Sequence, residues 1–496
     1  MKYLNFILIT IWYLVSCNST QSQADLTLPT DGPIQLHPQN HHYFLYKGKT
    51  TALITSAEHY GAVLNLDFDF EKYLRTLAAD GMNYTRIFTG VYFEIAGKSF
   101  GIQNNTLAPA EGRVITPWEQ VSGPSDTLKF DLFKWNQRYF DRLIQFMKLA
   151  ESLDIIVEVT LFSSIYRDIH WDISPQNPEN NVNIEDKLAR FDAQTMNNGD
   201  LFDFQANMVK KLVNELNRFD NFFFEIQNEP WADHPVGVYN IMNKEDIKPK
   251  DWTFKATFGD ADAFEWHDRL IEVIVEEESR LKNKHLIAQN YSNFRAPIPY
   301  VNEQVSIINF HYAWPDAVEW NYHYNKVIGF DESGFAGSGD QVYRRQAWGF
   351  MLSGGGLFNN LDYSFFVGNE DGLGKNDAPG GGSKALRKQL KILSEFLHGF
   401  ELEKLHPNQS AVIATPGLIP YVLSNNNGTY AIYLRAIGTS RTTFELQTGK
   451  GTFSVIAVDP VNGEQSDLGT MESIEGIMTL ELEFPEGELA LKISRI

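Results

Sequence analysis

From residue 50 onward the chain alternates between short apolar runs and longer stretches whose apolar residues recur every three or four positions. The short runs are Ala52–Ser56, Tyr84–Phe88, Ile155–Leu161, Phe222–Gln227, His285–Gln289, Ser306–Phe310, Val327–Phe330 and Leu357–Leu361. Continuous apolar runs of this size suit strands buried on both faces, as in a parallel sheet. The stretches between them include Phe70–Ala79, Asn136–Ser152, Phe202–Arg218, Ala263–Leu281, Gln341–Leu352 and Lys384–Leu397. Each shows one apolar stripe and predicts a helix laid against that sheet. Eight strands alternating with helices predict an α/β fold, a (β/α)8 TIM barrel over residues 32–400, led in by a strand at His42–Lys47. The competing open doubly wound sheet would carry a glycine-rich phosphate turn after its first strand, and none appears there.

From about Glu401 the period changes to short β-type runs, Ala411–Ala414, Tyr421–Ser424, Tyr430–Arg435, Thr443–Leu446, Thr452–Ala457, Met478–Glu483 and Leu489–Ile493, separated by turn residues such as Asn462-Gly463. They predict a C-terminal all-β sandwich over residues 401–496. Within the barrel the connections Thr89–Lys134, Ser163–Asp200 and Trp231–Asp262 are long. A barrel places such connections at its C-terminal face, where they build a cleft. They carry Trp118, Tyr166, Trp171, Trp231 and Trp252, which suit either stacking on a ligand or packing the loops down.

The start of the chain reads differently. Lys2 and the apolar run Phe6–Val15 have the form of an export signal over residues 1–16, too short to span a bilayer. The run ends Leu14-Val15-Ser16-Cys17, which resembles the lipobox of bacterial lipoproteins and implies lipidation of Cys17, the only cysteine. Residues 17–31 then read as a polar tether, and the expected location is membrane-anchored, periplasmic or on the cell surface. Composition adds an exclusion: 63 acidic against 42 basic residues give a net charge of −21, unsuited to a nucleic-acid partner. No cofactor is expected, and no His or Cys spacing suggests a metal site.

Candidate chemistry gathers at two strand ends. The run Phe222-Phe-Phe-Glu-Ile-Gln-Asn-Glu-Pro-Trp231 stops at Pro230, which cannot donate to a sheet ladder and so leaves Glu229 at the rim. Val327-Ile-Gly-Phe-Asp-Glu-Ser-Gly334 puts Glu332 at the same level, and strand alternation predicts that Asp331 points elsewhere. With Asn-Glu closing the fourth strand and Glu closing the seventh, residues 52–400 resemble the clan A glycoside hydrolases. The resemblance implies a retaining glycosidase acting on a poly- or oligosaccharide, with Glu229 as acid/base and Glu332 as nucleophile. It implies further that Arg86 lies against the nucleophile and that Asn228 and His311 contact the sugar.

Glu58, His59, Trp231, Tyr312, Trp314 and Tyr363 are further substrate-binding candidates at strand ends or in the loops. The family's frequent His-x-Tyr is replaced by His311-Tyr312, and Tyr363 and Phe365 stand where a tryptophan is common, so the aromatic hydroxyl facing Glu332 is open at this stage. The mechanism asks Glu229 to start with a raised pKa and Glu332 to stay ionised. Two other activities fit the same scaffold: an inactive glycan-binding lipoprotein, and a transglycosylase.

Overall fold

The computed structural model describes residues 28–122, 128–240, 252–375 and 378–496; the export signal, Cys17 and most of the tether lie outside them. Eight parallel strands form the barrel: β1 Leu53–Ala57, β2 Tyr84–Phe88, β3 Ile156–Ser163, β4 Phe222–Asn228, β5 Ile287–Asn293, β6 Ile307–His311, β7 Val327–Ser333 and β8 Leu357–Leu361. They are hydrogen-bonded in the order β1-β8-β7-β6-β5-β4-β3-β2. The gap between β1 and β2 is bridged by a side chain: the Asn83 amide donates to the Ala52 carbonyl at 2.9 Å and accepts from the Ile54 N–H at 2.9 Å.

Around this barrel lie α1 Phe70–Ala79, α2 Gln137–Ser152, α3 Leu201–Leu216, α4 Ala261–Glu278, α5 Pro315–Asn321, α6 Asp340–Met351 and α7 Lys384–His398. Several start at capping side chains, as Asp69, Asp260 and Ser383 accept from the N–H groups of Lys72, Ala263 and Leu386. No helix separates β5 from β6 among the described residues. Ala296, Ile298, Val301 and Val305 of that connection pack onto the barrel in its place, and Asn321 ties the connection down through the Ala296 carbonyl and the Ile298 N–H.

One residue from every strand, Leu53, Tyr84, Ile156, Phe223, Ala288, Ile307, Val327 and Leu357, meets in a plug at the bottom of the barrel. A three-stranded antiparallel sheet, Gln35–His37, Asn40–Tyr46 and Lys49–Thr51, closes it from below with Ile34, Phe44 and Tyr46. The lead-in strand of the sequence is thus one of three, and it seals the end opposite the cleft. The long connection after β4 contributes strands of its own. Its ends, Pro235–Asn240 and Lys255–Gly259, pair as a hairpin that joins the sheet through Phe258 and Ser292, and β5 accordingly runs on to Asn293.

The C-terminal part is two antiparallel sheets, six-stranded and three-stranded, around their own core of Ile432, Phe444, Phe453 and Leu480. The chain is therefore a TIM barrel followed by a β-sandwich. No helix among the described residues is long and apolar enough to cross a membrane.

Candidate active site

Above the bottom plug the barrel interior turns polar. Arg86 on β2 is fully buried and points at four carboxylates: Glu225, at Nε–O 3.0 Å with a second, shorter contact from a terminal nitrogen; Asp331 at 3.4 Å; Glu332 at 3.5 Å; and Glu158 at 3.8 Å. One cation cannot balance four buried anions, so some must hold protons. Burial raises Glu158 well above the usual carboxylate range and Glu225 to about 7, whereas His311 and Arg86 outweigh burial at Asp331 and keep it ionised. The closest partner of Arg86 is therefore Glu225, and its contact with Glu332 is the longer one.

Glu229 and Glu332 stand one layer higher, with carboxylate oxygens within 4.8 Å of each other. Glu229 follows β4 in the left-handed region, φ 49°, and Tyr166 at φ 60° and Tyr312 at φ 52° share that conformation. Such residues persist only where their surroundings over-determine them, and they cluster at functional sites. The Glu229 N–H donates to Asn290 at 3.1 Å, its carbonyl accepts from the Ser164 hydroxyl at 2.6 Å, and Pro230 starts a short helix immediately after it. Three donors converge on its carboxylate: His311 Nδ1 at 2.9 Å, the Tyr166 hydroxyl at 2.8 Å and the Tyr312 hydroxyl at 3.3 Å.

Glu332 arrives through an irregularity. The β6–β7 register passes from Phe310 opposite Phe330 to His311 opposite Glu332, so Asp331 is an extra residue on β7. This bulge overturns the expectation that Asp331 faces away. Both acidic side chains lean inward, Asp331 toward Arg86, Asn290 and His311, and Glu332 toward the Tyr312 hydroxyl at 2.8 Å.

The directions in which the two carboxyls are shifted also reverse the expected order. Burial raises Glu229, but the hydrogen bonds from His311 and the tyrosines outweigh it and bring this carboxyl below its ordinary value. Burial and the charge of Glu229 raise Glu332 against the pull of His311 and Arg86. His311 is pushed down by burial yet held as imidazolium by Glu332 and Asp331. The two glutamates lie close enough to titrate as a pair.

Two trios of donors lie close enough to chelate a cation, Glu229/His311/Glu332 and Glu158/Glu225/Asp331. Protein cations already serve both: the His311 imidazolium belongs to the first, and Arg86 lies against all three carboxylates of the second.

A cavity of about 330 Å3 opens above the pair, lined by Asn228, Glu229, Trp231, Tyr312, Glu332 and His59 among the candidates. Asn228 accepts from Arg86 at 2.9 Å and donates to the Tyr166 hydroxyl at 2.7 Å. His311 is fully buried behind the glutamates with Trp231 edge-on to its ring, a position that orders protons and does not line the cavity. Arg86, in the layer below, and three other candidates lie outside the lining. Glu58 is buried and accepts from the N–H groups of Gly61 and Ala62 and from Thr106, tying two loops together. Trp314 caps α5 beneath the Arg295 guanidinium. Tyr363 packs edge-on to His59 below the cavity floor.

Of the loop aromatics, Tyr166, Trp231 and Trp252 line the cavity, while Trp118 and Trp171 are buried packing residues. The sequence reading missed Glu94, Tyr60 and Phe335 of the lining and Asn290 and Glu225 beneath it. An Asn or Glu inside an apolar strand run was the available signal for the last two.

No family model and no curated protein matches the chain. Solved structures do. A protein of Bacteroides vulgatus provisionally assigned as a glycoside hydrolase superposes with a TM-score of 0.64 at 14% identity, over 94% of this chain and 82% of that one. A glycoside hydrolase family 5 protein of the same organism gives 0.60 at 11% identity, over 94% and 93%. A third structure, described as a glycoside hydrolase, gives 0.60 at 12% identity, over 94% and 97%. At these identities the likeness establishes that the chain has the barrel-plus-sandwich fold of those proteins.

Proposed function

We propose that this chain is a retaining glycoside hydrolase that cleaves β-glycosidic bonds by double displacement, with Glu229 as acid/base and Glu332 as nucleophile. The observation that carries the reading is the carboxylate pair at the ends of β4 and β7, with oxygens within 4.8 Å. Retention uses carboxyls about 5–5.5 Å apart, whereas inversion leaves about 6.5–9.5 Å for a water between them. The solved structures of the same fold, described as glycoside hydrolases, support the reading.

In the first step Glu229 protonates the glycosidic oxygen while Glu332 attacks the anomeric carbon. The Tyr312 hydroxyl, hydrogen-bonded to both carboxylates, is the path by which a proton passes between them to arm Glu229 as the acid. Afterwards Glu332 is charged, with Arg86 and His311 at 3.5 and 3.7 Å. Once Glu332 is esterified its charge is gone, and Glu229 returns to base to activate water. We add to this reading export and attachment to a membrane through Cys17.

Glu332→Gln is expected to abolish turnover. Glu229→Gln is expected to spare the first step on aryl glycosides with good leaving groups, to lower kcat on natural linkages by about 10²–10⁴-fold, and to stall deglycosylation. Wild-type rates in both variants would refute the assignment.

A further inference from the structure

The cavity around the two glutamates has two unequal halves. On one side Tyr60, Phe88, Tyr92, Ile102 and Leu107 form a wall in which no residue is more than 6% exposed. Its rings run in series, Tyr60 to Phe88 at 5.1 Å, Phe88 to Tyr92 at 6.3 Å and Tyr92 to Tyr166 at 5.8 Å. On the other side stand Pro235, Trp252 and Phe335, with Trp252 41% exposed and Pro235 also open to solvent. Glu229 sits between the halves, taking one hydroxyl from Tyr166 and the other from Tyr312.

The closed half contains a carboxylate that the double displacement does not use. Glu94 lines the cavity at 4% exposure, accepts from the Tyr92 hydroxyl at 2.8 Å and from the Asn105 amide, and is fixed by its N–H on the Leu107 carbonyl at 2.7 Å. A carboxylate has about four acceptor positions, so capacity remains. Nearby, the His59 ring lines the same wall, edge-on to Tyr60.

Resting on the glycosidase reading, we propose that this half is a blind subsite for one terminal, uncharged sugar unit, with Glu94 accepting hydrogen bonds from two of its hydroxyls. The enzyme then works from chain ends. Asn228 sets the direction: on the glycosidase reading it is the group that meets the 2-hydroxyl of the sugar being attacked. Its amide is tied to Arg86 and Tyr166 on the closed side. The sugar that forms the covalent intermediate therefore occupies the closed half, and the leaving group extends through the open half past Trp252. The lining of the closed half holds no Lys or Arg to balance an acidic group, which disfavours uronic acids and sulfated sugars there.

The test uses oligosaccharides of plant, algal and host polysaccharides carrying a fluorophore at the reducing end, incubated with the wild-type chain and sized at low conversion. The expected first labelled product is one residue shorter than the substrate. Labelled products several residues shorter would overturn the chain-end inference and leave the glycosidase reading intact. Cleavage of none of these oligosaccharides, nor of a panel of monosaccharide aryl β-glycosides, would overturn the reading on which the inference rests. On a cleaved aryl glycoside, Glu94→Gln is expected to lower kcat/KM about ten- to hundredfold, the loss typical of a hydrogen bond to a charged group. An unchanged kcat/KM in that variant would overturn the role of Glu94.

Discussion

At the scale of single residues the account turns on where protons sit. Tyr312 donates to Glu332 at 2.8 Å and lies 3.3 Å from Glu229, so Tyr312→Phe should cut kcat by about 10–100-fold and change the pH–rate profile, because the macroscopic values of the pair depend on that bridge. A drop in rate with an unaltered profile would argue against a relay. Glu58 gives a second prediction. Burial pushes its carboxyl from the ordinary 4.5 up to about 7, with hydrogen bonds from Thr106, Gly61 and Ala62 only partly opposing it. A raised carboxyl contributes stability that is complete below about 4.5 and lost as pH rises through about 7. Denaturant melts should therefore show stability falling across that window, and less steeply in Glu58→Gln; an equal slope would contradict it.

The place of Glu229 at the barrel rim was legible because Asn-Glu-Pro must end a strand. The role of Glu58 was not, since a strand-end carboxylate reads the same whether it faces a ligand or two backbone N–H groups. Glu94 was hidden for the opposite reason, as nothing in Val91-Tyr-Phe-Glu94 separates it from an ordinary loop.

At the scale of elements the apolar runs located all eight barrel strands, because strands covered on both faces must be apolar throughout. The features that aim the site are less visible. A bulge is one extra residue with no composition of its own, and it reversed the predicted direction of Asp331. Tyr166, Glu229 and Tyr312 are unusual residues to find at positive φ, and only the surrounding hydrogen bonds select that conformation.

Two substitutions test the supports. Phe44→Ala empties part of the bottom plug and should cost about 3–5 kcal/mol in denaturant unfolding. Asn83→Ala removes the bridge between β1 and β2, leaves the Ile54 N–H and Ala52 carbonyl unpaired, and should cost about 1–3 kcal/mol. Wild-type stability in the second variant would mean that the barrel seam does not depend on this side chain.

At the scale of the whole molecule the sandwich shares a core with the barrel, for Leu423, Ala431, Tyr433 and Ala490 belong to the same apolar cluster as Trp348 and Phe396. Glu488 of the last strand, Glu488–Arg495, accepts from Arg344 at 2.7 Å and Arg345 at 3.1 Å on α6 and from the Tyr433 hydroxyl at 2.8 Å. Removing one partner of a buried ion pair strands the others, so Glu488→Ala should cost about 3–5 kcal/mol. Calorimetry of the wild type should show one transition; two separate ones would contradict a shared core. The change of period at residue 401 made two folding patterns legible, whereas the ion pair that joins them spans 144 positions and leaves no local mark.

The central claim is that Glu332, whose carboxyl lies within 4.8 Å of Glu229, forms a covalent bond to the sugar. Incubation with the 2-deoxy-2-fluoro aryl glycoside of a cleaved sugar, followed by peptide mapping by mass spectrometry, tests it most directly. The account predicts one fluoroglycosyl group per chain, on the peptide containing Glu332. A label on Glu229 would reverse the roles of the pair, and no label together with inverted product configuration would contradict double displacement altogether.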